Sequence, residues 1–275
     1  MSLIVIDCGH NKAGTYDRGA TCADGRAEND LNVIVTEKLT ALLRAAGHSV
    51  IPIGNDASSV VQRGAVGSNN DCDLLLSIHH NAYGGGANGT TVIKSVFADA
   101  ECPKVATLGK LIIDGICDAI GTRPRNGGQP VTKWNSTKTA DYYGVIRGNK
   151  KHNTLIIESL FCDNASDLAR WDPDKIATAI SGAVFSVFGR PTAESAAEDA
   201  QKQGQTASVF SVGDTVEFSG GSHFVSSDAP FPVGGIRTAG KAKLTKIAAG
   251  QKHPYHLIGT TSNVYGWVDA SAVSK

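Results

Sequence analysis

Four polar residues stand where predicted strands or helices begin or end. His10 follows a short apolar run and Gly9, His79 closes a second apolar run, Glu158 ends a third, and Glu28 opens a predicted helix. In open α/β sheets ligands bind beyond the carboxyl ends of the strands, so we expect two imidazoles and two carboxylates at one sheet edge. Two histidines and one carboxylate form a zinc site with a position left for water, and a second carboxylate can move the water's proton. This set has the chemistry to hydrolyse an amide bond.

Two of these positions have competing interpretations. Successive side chains of a strand point to opposite faces, so only one of His79 and His80 reaches a metal easily. We favour His79 and give His80 a structural role. A glutamate at a helix start is also favoured by the helix dipole, so Glu28 alone does not indicate a ligand. Asp24 in the preceding loop and Glu37 in mid-helix are weaker candidates.

An alternation of strand-like and helix-like segments in the first 189 residues must position these side chains. Short apolar runs predict the strands, and apolar residues at helical spacing predict the helices. The alternation predicts an α/β fold, a mostly parallel twisted sheet flanked by helices. The predicted strands are 3–7, 49–53, 74–79, 90–97, 142–146 and 155–158, and the predicted helices are 28–46, 56–68, 103–120 and 173–188.

The same segments resemble the zinc-dependent N-acetylmuramoyl-L-alanine amidases of bacterial autolysins and phage endolysins. That family carries D-x-G-H, a glutamate opening the first helix, S-x-H-x-N and E-x-x-F-x-x-N. The chain has them, in this order, at 7–10, 28, 77–81 and 158–164. The resemblance implies zinc held by His10, Glu28 and His79, with Glu158 as the catalytic carboxylate. It also implies cleavage between the lactyl group of N-acetylmuramic acid and the L-alanine of the stem peptide.

Four further residues near this set have two interpretations each. Asn81 is our predicted substrate-binding residue, although a brace of its own loop is an equal alternative. For Arg63 we favour a packing salt bridge over substrate contact. For His152 we favour a solvated position over one at the mouth of the cleft. Cys8 could offer a thiolate, which we regard as the weaker interpretation because Gly9 separates it from the predicted ligand.

The composition changes after residue 189. Residues 190–208 are rich in Ala, Glu, Gln and Ser and predict a linker. Short β-like runs at 210–218, 242–247, 255–258 and 265–268 then predict a small all-β barrel. Residues 253–258 and 265–268 resemble a bacterial SH3-like cell-wall-binding domain, which implies a wall polymer or peptide as ligand. We therefore predict a catalytic domain at 1–189, a linker at 190–208 and an SH3-like domain at 209–275.

Three aromatic residues of this predicted barrel have open roles. Tyr255 and Tyr265 fit a ligand groove and a barrel core equally well, whereas Trp267 favours the core.

Composition and charge exclude several classes of function. Lys plus Arg and Asp plus Glu both number 26, so no basic excess indicates a nucleic-acid partner. No apolar run approaches the ~20 residues of a membrane span. Six cysteines without a C-x-x-C pair predict reduced thiols. The first residues lack a basic n-region, so we expect no signal peptide and release by another route.

The leading hypothesis is a peptidoglycan hydrolase, with a phage endolysin released by a holin as its preferred setting. One alternative is a zinc peptidase that cuts within the stem or cross-bridge peptide. A second alternative, from another class, is a wall-binding protein whose first domain is inactive. The carboxylate at Glu158 speaks against the second alternative. The sequence predicts no particular oligomeric state.

Overall fold

The chain forms two compact units. The computed structural model describes residues 1–11, 17–54, 58–190, 210–227, 229, 232–233, 235–248 and 251–274. One unit is built from Met1–Asn55 and Ser59–Pro191, and the other mainly from Thr192–Lys275. The predicted linker at 190–208 lies outside the described residues except for Arg190.

A five-stranded sheet runs through the first unit, with strands β1 (Leu3–Cys8), β2 (Ser49–Gly54), β3 (Leu74–Asn81), β4 (Thr91–Lys94) and β5 (Thr154–Phe161). The strand order is β2-β1-β3-β5-β4. β1 pairs in parallel with β2 and β3, and β3 with β5, whereas β4 is antiparallel to β5. The carboxyl ends of β1, β3 and β5 therefore meet at one edge.

Helices cover both faces of this sheet. They are α1 (Glu28–Ala45), α2 (Val60–Asn69), α3 (Ala98–Glu101), α4 (Pro103–Ile120), α5 (Gly144–Gly148), α6 (Ala165–Leu168) and α7 (Pro173–Phe188). Residues of α1, α4 and α7 share a core with alternate strand residues such as Ile6 and Ile78. Asp7 follows Ile6 and Ser77 precedes Ile78, so both side chains face the other side of the sheet. There Asp7 contacts Arg63 of α2.

The mixed α/β fold with a central sheet flanked by helices confirms the α/β part of the predicted fold class. Among the residues that the structure describes, no helix combines the length and the apolar composition of a membrane span.

Two local predictions in this unit need correction. Residues 142–146 do not form a strand, because α5 begins at Gly144. A Cβ at Gly64 would lie 2.9 Å from the Cα of Gly148, so the two glycines let α5 pack closely on α2, and this contact overrides the local β propensity. The second helix begins at Val60 because Ser59 and Gln62 form a reciprocal capping box. The predicted start at Asp56 lies outside the described residues.

The second unit contains a five-stranded antiparallel sheet. Its strands are β6 (Thr215–Phe218), β7 (Gly240–Ile247), β8 (Tyr255–Gly259), β9 (Tyr265–Val268) and β10 (Val273–Ser274), in the order β10-β6-β7-β8-β9. The strand predicted at 210–218 begins only at Thr215. The reason is a turn in which the Asp214 carboxylate accepts the N–H of Ser211 at 2.8 Å and Gly213 has a φ of 101°.

The two tyrosines of the second unit have different environments. Tyr255 is buried in the apolar core with residues such as Phe218 and Leu244. Tyr265 is 65% exposed. Trp267 is half-buried on β9, where its ring meets His256 edge-on at a centroid distance of 5.4 Å.

Candidate metal centre and its neighbours

His10 lies just beyond the carboxyl end of β1, in a turn that begins with Gly9. Its φ of 62° is in the left-handed region, which is uncommon for a residue with a side chain. Its Nδ1 atom lies 2.7 Å from Oδ1 of Asp17. This contact leaves the Nε2 atom of the ring to face Glu28 at 3.0 Å. Such a carboxylate partner orients a histidine that binds a metal.

Glu28 is the first residue of α1. The helix begins there because the Asp30 carboxylate accepts the N–H of Ala27 at 3.0 Å, which satisfies a donor that the helix leaves free. The Glu28 side chain is 5% exposed, and one of its oxygens lies 3.0 Å from Nε2 of His10. Its other oxygen lies 3.0 Å from Nδ1 of His79. The carboxylate therefore lies between the two imidazoles.

The two adjacent histidines of β3 point to opposite faces of the sheet. His79 meets Glu28, and its ring lies edge-on to that of His10 at a centroid distance of 4.9 Å. His80 is 1% exposed and its ring meets Trp171. Burial lowers the pKa of His80 to about 4, so this ring is neutral at physiological pH. The geometry therefore brings His79, and not the ring of His80, to the cluster.

Three side chains form a group that could hold a metal ion. One ligand atom from each of His10, Glu28 and His79 lies within 4.8 Å of the other two. Each imidazole has a nitrogen 3.0 Å from a different oxygen of Glu28, so both rings face the carboxylate. Two imidazoles and a carboxylate are also ligand types that zinc accepts. The residues present fit this ion.

Two glycines make room for this cluster. A Cβ at Gly9 would lie 2.5 Å from both Cε1 and Nε2 of His79. A Cβ at Gly19 would lie 2.6 Å from Oε2 of Glu28 and 2.6 Å from Cδ2 of His10. A side chain at either position would displace a residue of the cluster.

Within the cluster, the carboxylate and the two imidazoles shift one another's pKa values toward their charged forms. Burial raises the pKa of Glu28, but hydrogen bonds from the two imidazoles outweigh it and hold this pKa well below its usual value. Burial lowers the pKa of His79, yet the bond to Glu28 and its charge bring the net pKa above its ordinary value. The same balance raises the pKa of His10. Strong shifts of this kind are concentrated at functional sites.

Glu158 lies beside this cluster on the neighbouring strand. It pairs in register with His79, next to a bulge where β3 advances two residues and β5 three. Its Oε2 atom is buried and has no hydrogen-bond partner among the described residues. Burial raises the pKa of the Glu158 carboxyl to about 7, against the opposing effect of His79. A carboxyl with a pKa near neutrality is suited to proton transfer.

The remaining candidates occupy different places. The Asn81 side-chain oxygen accepts the N–H of Ala82 at 2.9 Å, which braces the end of β3. Arg63 is buried and donates to the carboxylate of Asp7 at 3.3 Å and to the carbonyl of Cys8 at 3.0 Å, so it anchors the strand that leads to His10. Burial raises the pKa of the Cys8 thiol to about 12, so it is not a thiolate near neutrality.

His152 contacts a different part of the first unit. Its ring lies 4.7 Å from that of Phe97, between centroids, and its Nε2 atom lies 3.6 Å from the Glu101 carboxylate. It lies in the loop between α5 and β5, whereas the cluster lies at the other end of that strand.

Three residues of the site were not among the sequence candidates. Asp17 and Gly19 lie in the loop between β1 and α1, and Trp171 lies between α6 and α7. Polar and glycine residues in a loop carry no signal of which side chain they approach. The only available hint was the short distance in sequence from His10 to Asp17 and Gly19.

Comparison with known proteins places the first unit in a family. A family model described as N-acetylmuramoyl-L-alanine amidase matches residues 4–186. The uncharacterized protein YqiI of Bacillus subtilis is 29% identical over 167 residues, which cover 60% of this chain and 72% of YqiI.

Solved structures share the fold of this unit. Cwp6 from Clostridium difficile has a TM-score of 0.60 and 25% identity over 68% of this chain, and the match spans 29% of Cwp6. The catalytic domain of CwlV, an N-acetylmuramoyl-L-alanine amidase from Bacillus (Paenibacillus) polymyxa var. colistinus, has a TM-score of 0.55 and 20% identity. That match covers 69% of this chain and 99% of the CwlV domain. Since the family model covers most of the first unit and more than half of the chain, the protein belongs to the N-acetylmuramoyl-L-alanine amidase family.

Proposed function

We propose that the chain is a zinc-dependent peptidoglycan hydrolase that cleaves the amide bond between N-acetylmuramic acid and the L-alanine of the stem peptide. The observation that carries this proposal is the convergence of His10, Glu28 and His79 beside the carboxyl of Glu158, whose Oε2 atom is buried. This convergence lies at the carboxyl edge of the sheet in a member of the amidase family. Ligands of open α/β sheets bind at this edge.

Each residue has a defined part in the proposed reaction. His10, Glu28 and His79 hold zinc, which when bound polarises the scissile carbonyl and makes water more acidic. Glu158 accepts the proton of the attacking water as the oxygen adds to the lactyl carbonyl carbon. It then gives that proton to the alanine nitrogen as the C–N bond breaks. The products are a free lactyl carboxylic acid on the glycan and a peptide with an N-terminal L-alanine.

Asn81 is the proposed substrate-binding residue. Its side-chain oxygen already accepts the N–H of Ala82, which leaves the amide nitrogen as the donor for a peptide or sugar oxygen of the substrate.

The second unit is proposed as an SH3-like cell-wall-binding domain at 209–275, joined to the catalytic domain at 1–189 by a linker at 190–208. Its small antiparallel sheet and the aromatic cluster of exposed Tyr265 with half-buried His256 and Trp267 support this assignment. Tyr255 belongs to the core and is not proposed as a ligand contact. The ligand would be a wall polymer or peptide.

The preferred biological setting is a phage endolysin that reaches the wall after a holin opens the membrane. This proposal follows the resemblance of the site motifs to those of phage endolysins. Expression of the chain in a bacterium with and without a pore-forming holin tests it. Lysis only with the holin supports this setting, and lysis or export without it argues for an autolysin.

Digestion of purified peptidoglycan tests the chemistry. We expect the full chain to release lactyl-ended glycan and peptides with N-terminal L-alanine, as identified by mass spectrometry. A chelator should stop the release, and added zinc should restore it. Glu158→Gln should bind zinc without cleaving, because it keeps the shape of the side chain but cannot accept the proton.

Each other result of the digestion points to a different function. Cuts within the stem or cross-bridge peptide would support the zinc peptidase alternative. Wall binding without any cleavage by the zinc-loaded wild-type chain would support an inactive wall-binding protein. Full activity of Glu158→Gln would remove Glu158 from its assigned role.

A further inference from the structure

His80 forms a buried hydrogen-bond chain behind the candidate metal centre. Its Nδ1 atom lies 2.8 Å from Oδ1 of Asn32 in α1. Its Nε2 atom lies 3.1 Å from the indole nitrogen of Trp171. The exposed fraction is 1% for His80 and 0% for Asn32, so water does not compete for the contact between these two residues. The chain of contacts therefore links the segment before α7 to α1 through β3.

The donors and acceptors of this chain can be arranged in one way. An indole N–H can only donate, so Nε2 of His80 accepts. Because Nε2 accepts, the ring proton lies on Nδ1, which donates to Oδ1 of Asn32. The Asn32 oxygen is thereby fixed toward His80, and the Asn32 amide nitrogen faces the other way.

That amide nitrogen points at two parts of the metal centre. It lies 3.1 Å from the carbonyl oxygen of Gly9, the residue before His10. It also lies 3.5 Å from Oε1 of Glu28, at the limit of a hydrogen bond. The backbone N–H of His80 donates to the same Glu28 oxygen at 3.1 Å. A polar network behind the cluster thus contacts Glu28 directly and reaches the backbone next to His10 through the carbonyl of Gly9.

On the basis of the proposed function, we infer that Trp171, His80 and Asn32 are positioning residues that hold Glu28 and the Gly9–His10 turn for the metal ion. His10 has a left-handed φ of 62°, a conformation that needs support from its surroundings. The carbonyl of Gly9 is such a point of support, since Asn29 also donates to it at 2.9 Å. Contacts of this kind beyond the ligands typically change metal affinity by about 10–100-fold.

The tautomer of His80 gives the first test. Long-range ¹H–¹⁵N NMR of the labelled full chain distinguishes a protonated Nδ1 from a protonated Nε2. We expect the proton on Nδ1 and an unprotonated Nε2, whereas free histidine favours the proton on the other nitrogen. Trp171→Phe keeps an aromatic ring under Arg26 but removes the indole N–H, so the Nδ1 preference should weaken. A proton on Nε2 in the wild-type chain would overturn the inference, because that nitrogen could then not accept the indole N–H.

Zinc affinity gives the second test, by competition with a chromophoric chelator. Asn32→Leu keeps the shape of the side chain and removes both of its hydrogen-bonding groups, and Trp171→Phe removes one donor. We expect each variant to bind zinc at least about 10-fold more weakly than the wild type while its circular dichroism is unchanged. Trp171 is only half-buried, so this variant should fold even if Asn32→Leu does not.

His48→Phe is the matched control. His48 is also a buried histidine, 4% exposed, but it lies before β2 at the opposite edge of the sheet, where its Nε2 atom contacts the carbonyl of Gly189 at 3.0 Å. The zinc affinity of the His48→Phe variant should stay within about twofold of the wild type. Folded Trp171→Phe with wild-type affinity, or equal losses in His48→Phe, would overturn the inference. A wild-type chain without zinc affinity would instead reject the proposed function.

Discussion

Gly19 is the position at which a single methyl group would disturb the candidate metal centre most directly. A Cβ there would lie 2.6 Å from a Glu28 oxygen and 2.6 Å from His10, whereas ordinary contacts are 3.4–4 Å. The two side chains would therefore have to retreat by about 1 Å. Metal–ligand distances tolerate deviations of only about 0.2 Å. We expect Gly19→Ala to lose zinc affinity by at least about 10-fold, the lower end for disturbed ligand support.

Gly25 supplies a control for backbone strain. It has a φ of +88°, close to the +75° of Gly19, and its Cβ would meet nothing within 4 Å among the described residues. An alanine in the left-handed region costs roughly 1–2 kcal/mol, and this penalty is shared by both variants. The difference between Gly19→Ala and Gly25→Ala therefore isolates the contact with Glu28 and His10.

Two measurements on each variant complete the comparison. Urea unfolding of chelated protein should show a loss of about 1–2 kcal/mol for Gly25→Ala and at least as much for Gly19→Ala. Zinc titration should show wild-type affinity for Gly25→Ala only. Equal zinc affinity in the two alanine variants would refute the argument that Gly19 makes room for the ligands.

Three other perturbations have expected outcomes. Asp17→Asn should weaken zinc binding by about 10-fold in a chelator competition, because the charge beside His10 is lost; an unchanged affinity would contradict this role. Arg63→Met should lower the free energy of unfolding in urea by about 3–5 kcal/mol, because the Asp7 carboxylate, which is 2% exposed, would stay buried without its guanidinium partner. A loss under about 1 kcal/mol would contradict this role of the ion pair. Burial raises the pKa of Cys8 from 9.0 to about 12. Between these two pH values the folded chain binds more protons at this thiol than the unfolded chain does. The free energy of unfolding should therefore fall as the pH rises above about 9. Iodoacetamide at pH 8.5 should therefore leave Cys8 unmodified until urea is added, as read by mass spectrometry. Labelling of Cys8 in the folded chain would contradict the burial of this thiol.

Several features of the fold can be predicted from the sequence because they depend on short-range pattern. The apolar run before Gly9 and the run before His79 predict buried strands, and the spacing of Leu31, Val35 and Leu39 predicts α1. The period of two along β3 also predicts that His79 and His80 face opposite sides. Which of them meets Glu28 depends on the partners of each face, which are distant in sequence.

Local pattern fails where a distant segment determines the conformation. Residues 142–146 are rich in β-forming types, yet the short helix α5 begins within this range, at Gly144. Gly144 and Gly148 allow that helix to approach α2, about 80 residues earlier in the chain. A propensity that spans about 1 kcal/mol is easily outweighed by such packing.

The sequence by itself determined the family, most of the order of the alternating elements and the residue types available for zinc chemistry, because these reside in local motifs and periodicity. Only the tertiary structure decided that Asp17 contacts His10, that Gly19 leaves room for Glu28, and that Trp171 reaches His80. These contacts join segments whose separation along the chain carries no information on distance in space. They arise when parallel strands align their carboxyl ends and the loops beyond them meet.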